Sequence, residues 1–351
     1  MGVQLAKLSE ENIGGVCVYP SPGEIRNNSD LLGYGDRPYT LRLALAEPQL
    51  IPVFFDLSVL ENYFRDPRYT CWFGDGEGHI SLSDKAYFSE HMAERDKTSL
   101  QTFGIGYDKN RNRVVVVFLR YLSGLSPEHQ QAWKTHELLG PCTMNSDYES
   151  ASIWGAWPEY ISVYSAFIQE QVEINKLSQL IGKVPLFRAT YEENDRPMGF
   201  SPMLRPTRQN LDDFAHLLDK MLSDNMDKRF FQDDIPLEEE IERRDGAVEK
   251  RTLGTIALLE RWLKKRYRDA AGKDISLEVI APLKRIRTAR QPAAHAIGQN
   301  EYDDTFPKQQ DEILGQATTA LTKLRLILSS HPMAKGFEAP EFLDGDKIVF
   351  Y

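Results

Sequence analysis

The sequence predicts an α+β fold: a mixed α/β domain over residues 1–204, an all-α four-helix bundle over residues 205–335, and a tail over 336–351. Three observations carry this. The N-terminal part is built from apolar, β-branched runs too short for helices. Residues 192–210 hold Pro197, Gly199, Pro202 and Pro206 among polar residues, which is linker composition. Beyond that stretch apolar residues recur at helical spacing.

Leu50–Phe55 and Val114–Leu119 read as strands. Phe103–Tyr107 and Arg113–Tyr121, joined by the polar segment 108–112, read as a β-hairpin. Ser126-Pro127-Glu128 opens a short helix, with Ser126 as cap and Pro127 in the first turn. Tyr160–Leu180 is a longer helical segment. In the C-terminal part Asn210 is the expected cap of a helix bearing Leu211, Phe214, Leu218, Met221 and Leu222. A second helix carries Leu253, Ile256, Leu259, Leu263 and Tyr267 and ends near Gly272. The third starts near Asp274 or Ser276, with Pro282 favouring a kink. The fourth runs from Pro307 through Leu328 and stops before Pro332. Short connections between such helices make a bundle. The charged stretch Glu238–Arg244 reads as a solvated face or an extension of the second helix.

No apolar run approaches the ~18 residues that span a bilayer, and Met1–Lys7 lacks the apolar core of a secretory signal. These features predict a cytoplasmic protein without membrane partners. Cys17, Cys71 and Cys142 lie far apart without CxxC spacing, which argues for reduced thiols over a disulfide framework or zinc site. The net charge of −10 argues against nonspecific coating of nucleic acid. Residues 250–290, however, hold 12 basic residues against 4 acidic ones, including Arg261, Lys264, Arg266, Lys284, Arg287 and Arg290. That stretch is either a solvated helix face or a phosphate-binding surface.

At the end of the third helix the chain reads Arg287-Thr288-Ala289-Arg290-Gln291-Pro292-Ala293-Ala294-His295. Arg290, the polar Gln291 and then His295 after four intervening residues resemble the motif of HEPN domains, which are helical bundles. The resemblance covers roughly residues 205–335, since helix order and motif position agree as well. It implies a metal-independent endoribonuclease without a cofactor, of the toxin-like or antiphage kind. Arg290 and His295 would be catalytic, with Gln291 a supporting motif residue. The products would carry 2′,3′-cyclic phosphate and 5′-hydroxyl ends. It also implies an RNA substrate, a homodimer in which two motifs face one cleft, and room for an antitoxin or regulatory partner.

The chemistry suits those residue types. RNA supplies its own nucleophile, the 2′-hydroxyl, so a site needs proton transfer and charge stabilisation alone. Histidine exchanges a proton near neutral pH, and arginine offers phosphate a planar fork of donors. Lys284 and Arg287, on the same stretch of helix, are the expected RNA-backbone contacts. The N-terminal domain would then sense a trigger or restrain the nuclease.

Other candidates are weaker. Gly74–His79 lacks the phosphate-loop and EF-hand signatures and reads as a turn between strands. His129 and His136 flank Trp133 without a third metal ligand. Trp154 and Trp157 are expected to fill a core. Two rival readings stand beside the nuclease. One is a non-catalytic HEPN module for dimerisation or partner binding, which Gln291 and Pro292 favour. In the other, the N-terminal domain is the enzyme and the bundle its scaffold.

Overall fold

The computed structural model describes residues 21–28, 31–74, 76–157, 159–192, 195–242, 248–268, 272, 274–295, 300–343 and 345–351, without the side chains of 28, 32 and 291–295. The readings of Met1–Lys7 and Cys17 therefore lie outside the described residues, as do those of the Gln291 and His295 side chains. The fold is α+β: an antiparallel sheet with helices, followed by a mainly helical region.

Helices α1 (Pro22–Asn28) and α2 (Pro38–Ala44) lead into β1 (Pro52–Phe55), α3 (Glu61–Arg65), β2 (Tyr69–Gly74) and β3 (Glu77–Leu82). The turn between β2 and β3 passes through Gly76 at φ +84, a left-handed conformation that glycine adopts without penalty. It is the turn that the glycine-rich sequence there predicts. A short α4 (Asp84–Tyr87) precedes β4 (Leu100–Asp108) and β5 (Arg113–Phe118), the expected hairpin. Then come α5 (Leu119–Leu122), α6 (Pro127–Thr135), β6 (Cys142–Met144), α7 (Ser146–Glu149) and β7 (Ile161–Ser162). The sheet order is β1-β5-β4-β3-β2, with β6 paired to β4.

Strand β5 explains its own sequence. Val115 and Val117 enter the main core of this lobe, while Val116 and Phe118 meet Tyr148 on the other face. A strand buried on both faces reads as an unbroken apolar run. Tyr148 lies so close over Gly104 of β4 that a Cβ there would sit 2.2 Å from its ring. Helix α6 starts as expected: the Ser126 hydroxyl accepts the His129 N–H, and Gln130 accepts from the backbone N–H of Tyr39 and Thr40 on α2. Trp154 and Trp157 are 76% and 70% exposed, so they do not fill a core. The chain turns away from the sheet after Tyr148, through a wide helical turn and Gly155 at φ +66.

The helical region comprises α8 (Val163–Leu180), α9 (Arg208–Leu222), α10 (Thr255–Arg266), α11 (Ser276–His295) and α12 (Phe306–Ser329). Between α9 and α10, strands β8 (Glu238–Glu242) and β9 (Val248–Thr252) form a solvent-exposed hairpin. Glu238–Glu242 is therefore a strand and not helix, because Glu239 and Glu240 stand opposite Arg251 and Lys250. Arg243 and Arg244 lie outside the described residues. The cap of α9 is Thr207, whose extended backbone lets its hydroxyl accept the N–H of Asn210. Helix α10 ends at Arg266, earlier than Gly272, because Tyr267 turns extended and its ring packs on Trp262 at 5.3 Å. Helix α11 runs through Pro282 and Pro292 to His295, held by packing against α9, α10 and α12.

One continuous apolar core joins these helices, and it begins at Val163, well before residue 205. Helix α8 packs along α12, and Glu170 of α8 accepts from Arg325 of α12 at 2.7 and 3.1 Å with both side chains buried. The C-terminal segment straps the lobes together. Here β10 (Ile348–Val349) pairs parallel with β7, Phe350 sits against Gly315 of α12, and Tyr351 enters the core of the sheet lobe. Arg113 of β5 adds an ion pair to Asp311 of α12 at 2.8 Å. No helix among the described residues is long and apolar enough to cross a membrane.

Candidate functional site

Helix α11 packs against α9, and this contact sets the surroundings of Arg290. On α9 the apolar stripe of Ala215, Leu218 and Leu222 includes an acid, Asp219, which is 1% exposed. A buried carboxylate on an apolar stripe needs partners. Asp219 has two: its Oδ1 accepts from the Ser223 hydroxyl, and its Oδ2 accepts from Nη1 of Arg290 at 2.7 Å. The same Nη1 also reaches Oδ2 of Asp224 at 3.3 Å. These carboxylates hold the guanidinium above its ordinary range through the hydrogen bond to Asp219 and the charge of both acids. Arg290 keeps 29% of its side chain exposed, so it is anchored but open to solvent.

Several other cations of the basic stretch also meet acids. Lys284 donates to Oε2 of Glu260 at 2.6 Å, and Lys264 donates to Oε1 of the same residue at 2.7 Å. Their hydrogen bonds depress the Glu260 carboxyl. Arg287 stands 4.0 Å from Asp224, Arg261 pairs with Glu239, and Arg266 pairs with Asp234. Arg261, Lys264, Arg266, Lys284, Arg287 and Arg290 thus meet acids drawn from α9, α10 and the segments around them, whereas Arg285 bonds to Gln316 and Lys265 to the Asp234 carbonyl. Sequence reading finds the cations but not Asp219, Asp224 or Glu260. The signal for Asp219 is its place in an apolar stripe; nothing local marks the others.

Arg290, Gln291 and His295 share one helix. At 3.6 residues per turn, positions 290 and 295 lie about 140° apart around its axis. The helix brings Lys284 and Arg287 to the approach of Arg290, with Arg287 and Arg290 both meeting Asp224. Among the described residues no group of three or more His, Cys, Asp or Glu side chains has the arrangement to hold a metal ion. No family model, no curated protein sequence and no solved structure matches the chain.

Proposed function

We propose that the helical region is a metal-independent RNA-cleaving module of HEPN type, in which Arg290 stabilises the phosphate and His295 transfers protons. The observation supporting it most directly is Arg290 itself: an arginine at the end of α11, oriented by two carboxylates and still partly open to solvent. Such a group is pre-positioned for an oxyanion, and pre-positioning is where charge stabilisation gains its effect. The resemblance to HEPN domains implies a homodimer in which two motifs face one cleft. In such a dimer the Arg290/His295 motifs would lie near the two-fold axis, so dimerisation and activity would go together. The sheet lobe is then the sensing or restraining part.

A second reading has its own support. Asp219 and Asp224 already share Nη1 of Arg290, and Glu260 pairs with Lys284. Such pairing suits a bundle used for dimerisation or partner binding without catalysis. RNA cleavage in EDTA, comparing the wild-type chain with His295→Ala, separates the two. Cleavage that persists in EDTA and disappears in folded His295→Ala supports the nuclease; no cleavage by the wild type, dimeric in light scattering, supports the binding module.

A further inference from the structure

In the sheet lobe, α3, the start of β2 and α6 enclose a cavity of about 340 Å³. Cavities of about 300–1,000 Å³ suit a single small molecule. One wall is a chain of hydrogen-bonded rings. The indole N–H of fully buried Trp133 donates to the hydroxyl of Tyr63 at 2.9 Å, and that hydroxyl lies 2.6 Å from Nδ1 of His129. Among the described residues Nδ1 is the acceptor within reach of the Tyr63 hydroxyl hydrogen, so Tyr63 donates to it. Burial raises the Tyr63 phenol and lowers the His129 imidazole, which keeps the hydroxyl protonated and the ring neutral. A neutral imidazole that accepts at Nδ1 carries its proton on Nε2. Nε2 has no protein partner among the described residues, and His129 lines the cavity. The relay therefore fixes an uncharged donor at the cavity wall.

The charges at the cavity mouth are mutually balanced. Arg68 donates to both oxygens of Asp66 and, at 2.8 Å, to Asp96. Arg95 stands 3.8 Å from Asp96. Two cations meet two carboxylates, and Glu128 adds one more acid, so nothing there favours a phosphate dianion. Tyr63, Tyr69 and Trp133 are buried and form the floor behind the cavity, so a ligand meets the donor of His129, the two-sided amide of Asn62 and the acceptor of Glu128. An uncharged donor beside an amide and an acceptor matches the hydrogen-bonding edge of an uncharged heterocycle bearing amide-like groups.

We propose that this cavity binds an uncharged purine or pyrimidine nucleoside through its base, with His129 as donor and Tyr63 as the residue that positions it. The site lies in the sheet lobe and does not depend on the RNA-cleavage reading. Calorimetric titration of the full chain with adenosine, guanosine, cytidine and uridine tests it, with AMP as the charged comparison. Saturable binding of at least one nucleoside, and AMP no tighter than adenosine, is the expected result. Tyr63→Phe keeps the ring but removes the relay, and it should weaken that binding roughly tenfold, the value of one hydrogen bond. His129→Ala should weaken it at least as much, with circular dichroism showing both variants folded. The proposal is overturned if no nucleoside titrates at millimolar concentration, if both folded variants bind like the wild type, or if AMP binds more than tenfold tighter than adenosine.

Discussion

Arg290 of α11 and Asp219 of α9 form an ion pair at 2.7 Å whose two ends differ in burial: the acid is 1% exposed and the arginine 29%. The asymmetry predicts unequal costs. Arg290→Ala leaves a buried carboxylate with only the Ser223 hydroxyl, and stranding a buried charge costs about 3–5 kcal/mol. Asp219→Asn leaves an arginine that still reaches Asp224 and water, so the loss should be nearer 1–3 kcal/mol. Urea denaturation of the two single variants and of the double variant checks this. The double variant should be more stable than Arg290→Ala alone. Equal costs for the two single changes would show that the buried acid does not govern this contact.

A consequence follows for any cleavage assay. Arg290→Ala combines loss of a phosphate donor with loss of fold stability, so its activity must be measured per folded molecule. His295→Ala carries the mechanistic test. Removing a general acid or base lowers rate by ~100- to 10,000-fold, and EDTA should change nothing. Cleavage that survives His295→Ala, or is abolished by EDTA, rules out the proposed mechanism.

The fold class was legible where each segment carries its own pattern. The β4–β5 hairpin, the Ser126 start of α6 and the span of α12 all follow from local periodicity and caps. What escaped is non-local. Glu170 and Glu173 dilute the apolar face of α8, and Glu170 is tolerable only beside Arg325, 155 positions away. Hence a composition change near residue 205 reads as a boundary, although the helical core already includes α8. Glu238–Glu242 offers acids and little else, and its strand state rests on Lys250 and Arg251 across the hairpin. The candidate site was half visible. Arg290 stands in a motif, whereas Asp219 and Asp224 are brought to it by the packing of α11 on α9.

The Glu170–Arg325 pair gives a second stability prediction. Glu170→Ala should cost about 3–5 kcal/mol, because it leaves a buried guanidinium unpaired. Replacing both with apolar residues of similar volume, as in Glu170→Met with Arg325→Leu, should recover most of that loss. Since α8 supplies Phe167, Ile174 and Leu177 to the same core, a fragment of residues 205–351 should fail to fold cooperatively, whereas one beginning at 161 should melt sharply. Circular dichroism melts decide both; a cooperative 205–351 fragment would refute the role given to α8.

Asp234 gives the acid limb of stability. Its burial pushes the carboxyl up, but hydrogen bonds from Lys183 at 2.7 Å, from Arg266 and from the Trp262 indole at 2.5 Å outweigh this and hold it at about 2. Its ordinary value is 3.8. A carboxyl depressed on folding contributes stability that is complete above its unfolded value and disappears as pH falls through its folded one. The contribution is on the order of 2 kcal/mol at neutral pH, lost between about pH 4 and pH 2. Asp234→Asn removes this group without changing its size. Wild type should therefore lose melting temperature faster than the variant between pH 4 and pH 2, the two curves converging at the acid end. Parallel curves across that window would show that Asp234 is not held in its charged form by Lys183 and Arg266.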